Sequence, residues 1–68
     1  MTNIVSNRYQ EKQRQIYQES ICYGKTERAN DALWRAASNA NLLENNERSY
    51  HDLTTERITF LMMRLGWI

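Results

Sequence analysis

The segment from Ile58 to Ile68 carries apolar side chains on two sides of any helix that it forms. One stripe has the i, i+3, i+4, i+7 spacing of a single helix face and consists of Ile58, Leu61, Met62 and Leu65. A second stripe on a different side consists of Phe60, Met63 and Trp67. A helix that is apolar nearly all round must be covered on both sides, because soluble proteins seldom leave such a patch in water.

The rest of the chain offers too little apolar surface to cover both sides of this helix. Its 68 residues have room for one domain, so we predict a single helical domain over residues 1–68. Small domains bury a modest share of their surface and rely on disulfides, metals or oligomerisation. One Cys and one His cannot make an internal disulfide or a complete zinc site within one chain. We therefore expect no metal and no cofactor. Oligomerisation is then the remaining means of stabilising the domain.

The residue pattern predicts an all-α fold of two longer helices and a short apolar C-terminal helix. The expected helices span residues of about 6–23, 26–43 and 53–65. Gly24 suits the left-handed position that closes a helix, and Thr26 is the expected cap of the second helix. Thr54 or Thr55 should cap the third helix, and Gly66 should end it. The pattern leaves open whether residues 44–52 are helix or loop.

The first two helices differ in the face that they can bury. Helix 1 is mostly polar, and its expected buried stripe is Val5, Tyr9, Ile16, Ile21 and Tyr23, with Tyr17 at the edge. Helix 2 has a face of small side chains that lets another helix approach closely: Ala29, Leu33, Ala36, Ala37 and Ala40. Asp31 and Arg35 form an i, i+4 pair that marks its solvated side.

These two helices cannot cover both stripes of the third. We therefore expect an intertwined or packed homodimer, joined through the C-terminal helix and the alanine face of helix 2, or docking to another protein. The expected oligomer interface is Ile58, Phe60, Leu61, Met62, Met63, Leu65 and Trp67. Aromatic residues anchor many protein interfaces, and the candidates for binding a partner are Trp34, Tyr9, Tyr17 and Trp67.

Residues for catalysis are scarce. Cys22 lies near the C-terminal end of a predicted helix, where the partial negative charge disfavours a thiolate. His51 and Asp52 are adjacent and would point apart on a helix. Two isolated glycines cannot make a phosphate-binding loop. The sequence predicts no enzyme and no catalytic residue.

Nucleic-acid binding is the alternative function. Three short helices with a tight first turn fit a small dimeric helix-turn-helix regulator in outline, with Arg28, Asn30 and Arg35 as the candidates for DNA contact. However, Glu27 and Asp31 stand in the same helical turns, and the net charge is only +1. A protein that depends on phosphate contacts concentrates its basic residues, so we favour a protein partner.

The chain contains no basic segment followed by an apolar one, and its longest apolar run is residues 60–63. This pattern predicts no membrane association and a cytoplasmic location.

As a whole, from Met1-Thr2-Asn3-Ile4-Val5 to Met62-Met63-Arg64-Leu65-Gly66-Trp67-Ile68, the sequence resembles the short accessory proteins encoded in the early regions of lambda-like temperate bacteriophages. The resemblance implies a small, non-enzymatic, helical, dimeric regulatory protein. Such a protein would act in the cytoplasm of a bacterial host, binding host or phage proteins to influence phage development. No motif defines the family here, so no functional residue is carried over.

Overall fold

The computed structural model describes residues 7–68, which form three α-helices and no strand. The helices are α1 (Asn7–Cys22), α2 (Thr26–Asn39) and α3 (Thr55–Leu65), and a 3₁₀ turn at Tyr50–Asp52 lies between α2 and α3. The predicted all-α fold is confirmed for these residues. None of these helices is long and apolar enough to cross a membrane.

Helices α1 and α2 form an antiparallel hairpin. Gly24 turns the chain with φ +74°, and the Lys25 N–H closes the turn by donating to the Ser20 carbonyl at 2.7 Å. At the other end of the hairpin, the Gln10 amide donates to the Ala36 carbonyl at 3.0 Å and to Asn39 Oδ1 at 3.2 Å. The start of α1 therefore lies beside the end of α2.

The expected cap at Thr26 is wrong. Thr26 is already the first helical residue, and the capping position is Lys25, whose side chain makes no capping hydrogen bond. The tight turn leaves only three residues between the helices, so Thr26 has no extended backbone from which its hydroxyl could reach the first-turn N–H groups.

Helix α2 ends at Asn39, four residues before the predicted end. Asn41 adopts φ +61°, a left-handed conformation that asparagine tolerates, and the Leu42 N–H donates to the Ala37 carbonyl at 2.9 Å. This turn sends Leu42 and Leu43 back against the core. Residues 44–52 are accordingly a connector with one 3₁₀ turn and no α-helix.

Helix α3 begins and ends at the residues that its capping signals indicate. The Thr54 hydroxyl accepts a hydrogen bond from the Arg57 N–H at 3.1 Å, which confirms this cap. Gly66 adopts φ +77°, and the Trp67 N–H donates to the Met62 carbonyl at 2.8 Å. The last residues therefore fold back across the end of α3.

The core lies where α2 meets α3. Leu33, Ala37 and Leu61 are fully buried there, and partly buried apolar residues surround them: Tyr17, Leu42, Leu43, Leu53, Ile58, Met62, Leu65 and Trp67. Ala29, Ala32 and Ala36 are buried as well, so the small side chains of α2 do form a close-packed face. The chain's own helices cover this face, so the expectation that it joins two copies is wrong.

The expected buried stripe of α1 is wrong at three positions, and Val5 lies outside the described residues. Ile21 is 49% exposed, Tyr23 is 77% exposed, and Tyr9 is also exposed. The buried residues of α1 are instead Gln13 and Ser20, with Ile16 and Tyr17 half-buried beside them. The side of α1 that packs against α2 is therefore displaced from the predicted stripe.

Candidate protein-interaction surface

The inner side of α3 is covered by its own chain. Leu61 is fully buried, and Ile58, Met62 and Leu65 are half-buried around the same core. These four residues belong to the expected oligomer interface, and within one chain they pack around the core that α2 and the connector form. Helix α2 presents Leu33 and Ala37 to this side, which is enough to cover one stripe.

The outer side of α3 remains exposed. Phe60 is 45% exposed and Met63 is 62% exposed, and Ile68 just beyond the helix is exposed too. Glu56 and Arg64 are exposed one turn before and one turn after Phe60. We call Glu56, Phe60, Met63 and Arg64 the outer face of α3.

Trp67, the last member of the second stripe, is turned towards α1. Its ring lies 5.7 Å from the ring of Tyr17, tilted by 50°, and the Tyr17 hydroxyl donates to the Met62 sulfur at 3.3 Å. Burial raises the pKa of the Tyr17 phenol. Two of the four candidate anchors, Tyr17 and Trp67, therefore contact each other and join α1 to the end of α3.

The other two candidate anchors lie on α2 and α1. Trp34 is half-buried, and its indole N–H donates to the Glu47 carbonyl at 3.4 Å. Tyr9 lies on α1 with a little over a third of its surface exposed. Of the four aromatic residues, only Tyr17 and Trp67 have a ring contact with each other among the described residues.

A partly buried ion pair holds the first turn of α3 against the connector. Arg57 donates from Nε to Glu47 Oε2 at 2.5 Å and from Nη2 to Glu47 Oε1 at 2.9 Å. Its hydrogen bonds hold the pKa of the Glu47 carboxyl below its ordinary value, and Glu47 in turn raises the pKa of the Arg57 guanidinium. Sequence reasoning missed this pair, because Glu47 stands in a polar stretch typical of solvated loops.

The ion pair also reaches the outer face. The guanidinium carbon of Arg57 lies 5.1 Å from the centre of the Phe60 ring, within the range of a cation–π contact. Arg57 is itself fixed by Glu47 and by the Leu42 carbonyl, to which it donates at 3.0 Å. The exposed Phe60 ring is therefore restrained on one side by its contact with the fixed Arg57 guanidinium.

The residues proposed for DNA contact lie on α2. Arg28 and Arg35 are exposed and Asn30 is half-buried, and Arg35 Nε is 3.1 Å from Asp31 Oδ2, as the i, i+4 spacing predicted. The two arginines share the lining of a small pocket of about 190 Å³ with the Asp31 carboxylate. Helices α1 and α2 lie side by side, whereas a helix-turn-helix crosses its two helices at a wide angle.

A larger cleft of about 370 Å³ separates α1 from the end of α3. It is lined by Gln10, Glu11, Arg14, Arg64, Leu65, Gly66 and Trp67. Arg14 Nη1 lies 3.8 Å from Glu11 Oε2, so the acidic residue offsets part of the positive charge at this opening.

The two candidates for nucleophilic chemistry are both on the surface. Cys22 is exposed at the end of α1, and His51 is exposed with its ring 4.1 Å from the ring of Tyr50. Within residues 7–68, no group of three or more histidine, cysteine or acidic side chains could hold a metal ion.

Comparison of the chain with protein-family models, with curated proteins and with solved structures finds no match. A function must therefore be inferred from the surface that the chain presents.

Proposed function

We propose that this protein is a small non-enzymatic module that acts by binding proteins and that it self-associates through the outer face of α3. The observation that supports the proposal is the exposure of Phe60 and Met63 on a helix whose opposite side is already buried. Aromatic and Met side chains are enriched at protein interfaces, where polar residues form the rim. Glu56 and Arg64 provide such a rim.

This surface suits a protein partner better than a nucleic acid. The outer face of α3 offers one aromatic ring and one thioether flanked by a single acid and a single base. On α2, Arg35 is already paired with Asp31, which weakens its attraction for phosphate. A small dimeric DNA-binding regulator that uses Arg28, Asn30 and Arg35 is therefore the second candidate.

The resemblance to short early-region proteins of lambda-like phages supports a narrower form of the proposal. In that form, the dimer is an early regulatory protein in the cytoplasm of a bacterial host, and it binds a host or phage protein to influence phage development.

Sedimentation equilibrium tests self-association. We expect the mass of the wild-type protein to rise towards twice the monomer mass over the micromolar range. The double variant F60E/M63E should remain monomeric while keeping its helical circular dichroism. The matched control is I21E, since Ile21 is an equally exposed apolar residue on α1 and its replacement should leave association unchanged. A wild-type protein that stays monomeric, or a folded F60E/M63E that still dimerises, would contradict the proposal.

Titration with duplex DNA at two salt concentrations tests the second candidate. We expect no salt-dependent binding. An affinity that falls steeply with salt, and that R28A/R35A abolishes, would replace protein binding by DNA binding.

A further inference from the structure

We infer that two copies of this chain pair through antiparallel α3 helices, with Glu56 of each copy facing Arg64 of the partner subunit. The inference rests on the proposed self-association and adds its geometry. It follows from the row that Glu56, Phe60 and Arg64 make along the outer face of α3.

The row is centred on Phe60. Glu56 lies four residues before it and Arg64 lies four residues after it, so each is about 6 Å from Phe60 along the helix axis and within about 40° around it. When two such helices cross antiparallel at Phe60, a position four residues before the crossing on one helix faces the position four residues after it on the other. A two-fold axis through the crossing repeats the same pair on its other side.

The charges of Glu56 and Arg64 favour antiparallel over parallel pairing of the two α3 helices. Glu56 and Arg64 are both exposed, and neither forms an ion pair with another residue of the described chain. Antiparallel helices bring each carboxylate to a guanidinium of the partner subunit. Parallel helices would set Glu56 beside Glu56 of the partner subunit and the two Arg64 side chains beside each other, which is unfavourable.

An isolated helix also favours an acid in its first turn and a base in its last turn through its dipole. That effect does not require an exposed aromatic residue midway between the two charges. In the pairing that we infer, Phe60 meets Phe60 of the partner subunit near the axis, and the adaptable Met63 side chains fill the space beside the rings. Since α3 has 11 residues, the contact is at the small end of specific interfaces and should be reversible.

Charge reversal tests the pairing. E56R and R64E should each weaken dimerisation by about tenfold in sedimentation at low salt, because every favourable pair becomes a repulsive one. An equimolar mixture of E56R with R64E should form a mixed dimer, since one chain then presents two bases and the other presents two acids. The double swap E56R/R64E should restore the homodimer. In a parallel arrangement each single reversal would replace one like-charge pair by another, so E56R and R64E would not weaken dimerisation.

The matched controls are E19R and R8E, which make the same charge changes at exposed positions of α1 and should dimerise like the wild type. Circular dichroism of each variant checks that it folds. If the wild type dimerises but the single reversals do not weaken it, or if neither the mixture nor the swap restores association, the pairing is wrong while self-association stands. A monomeric wild type would instead remove the proposed self-association itself.

Discussion

Glu47 and Arg57 meet in a two-pronged ion pair that joins the connector to the first turn of α3. The Glu47 side chain is only 4% exposed, while that of Arg57 is 24% exposed. Glu47 Oε1 also accepts the Glu44 N–H at 2.8 Å, and Arg57 donates to the Leu42 carbonyl. One carboxylate and one guanidinium thus organise residues 42–47, a stretch without helical hydrogen bonds of its own.

Removing the carboxylate should be costly. We expect Glu47→Ala to lower the free energy of unfolding by about 3 kcal/mol, because it leaves Arg57 and the Glu44 N–H without their partner. Urea unfolding followed by circular dichroism measures the change. The matched control is Glu44→Ala, which removes an exposed carboxylate from the same connector and should change stability by less than about 0.5 kcal/mol. Equal stability of the two variants would show that the ion pair contributes little.

The same pair predicts a loss of stability in acid. The pKa of Glu47 is lowered in the folded protein, chiefly by the Arg57 hydrogen bonds, whereas the pKa of a Glu in the unfolded chain is about 4.3. The unfolded state therefore binds the proton first, so the contribution is complete above about pH 5 and is lost as the pH falls through the two pKa values. Urea midpoints between pH 7 and pH 3 should fall less steeply for Glu47→Gln than for the wild type. Parallel curves would contradict this assignment.

Signals that act within one turn of chain were predictable from the sequence. The left-handed positions of Gly24 and Gly66 and the cap at Thr54 each depend on one residue and its immediate neighbours. The alanine face of α2 also follows from spacing alone, since no other face of that helix is as uniformly small.

Signals that depend on distant partners were not predictable. The orientation of α1 is set by its packing against α2, which buries the polar Gln13 and leaves the apolar Ile21 exposed. The burial of Glu47 requires Arg57, ten residues further on, and no local pattern links the two. The packing of the inner side of α3 was not predictable for the same reason, because Leu42 and Leu43 return to the core only after α2 ends early at Asn39.

The buried hydroxyl of Ser20 on α1 lowers the stability of the folded protein. Ser20 is 2% exposed, and its Oγ has no hydrogen-bond partner in the structure. A buried hydroxyl without a partner loses its hydration and gains nothing in return, so Ser20→Ala should stabilise the protein by about 1 kcal/mol. Ser38→Ala, at an exposed position of α2, is the control for the higher helix propensity of Ala. Thermal or urea unfolding in which Ser20→Ala gains no more than Ser38→Ala would contradict this account.

Substitutions on the inner side of α3 should affect folding, and substitutions on its outer side should affect association. Leu61 is fully buried, so Leu61→Ala should lower the free energy of unfolding by about 2–5 kcal/mol through lost burial and the cavity left behind. Met63 is mostly exposed, so Met63→Ala should change the stability of the monomer by less than about 0.5 kcal/mol and yet weaken self-association. Both unfolding curves must be measured at a concentration at which the wild type is monomeric, because association would otherwise add to the apparent stability. If Met63→Ala unfolded the monomer as readily as Leu61→Ala, the outer side of α3 would belong to the core, and no free face would be left for a second copy.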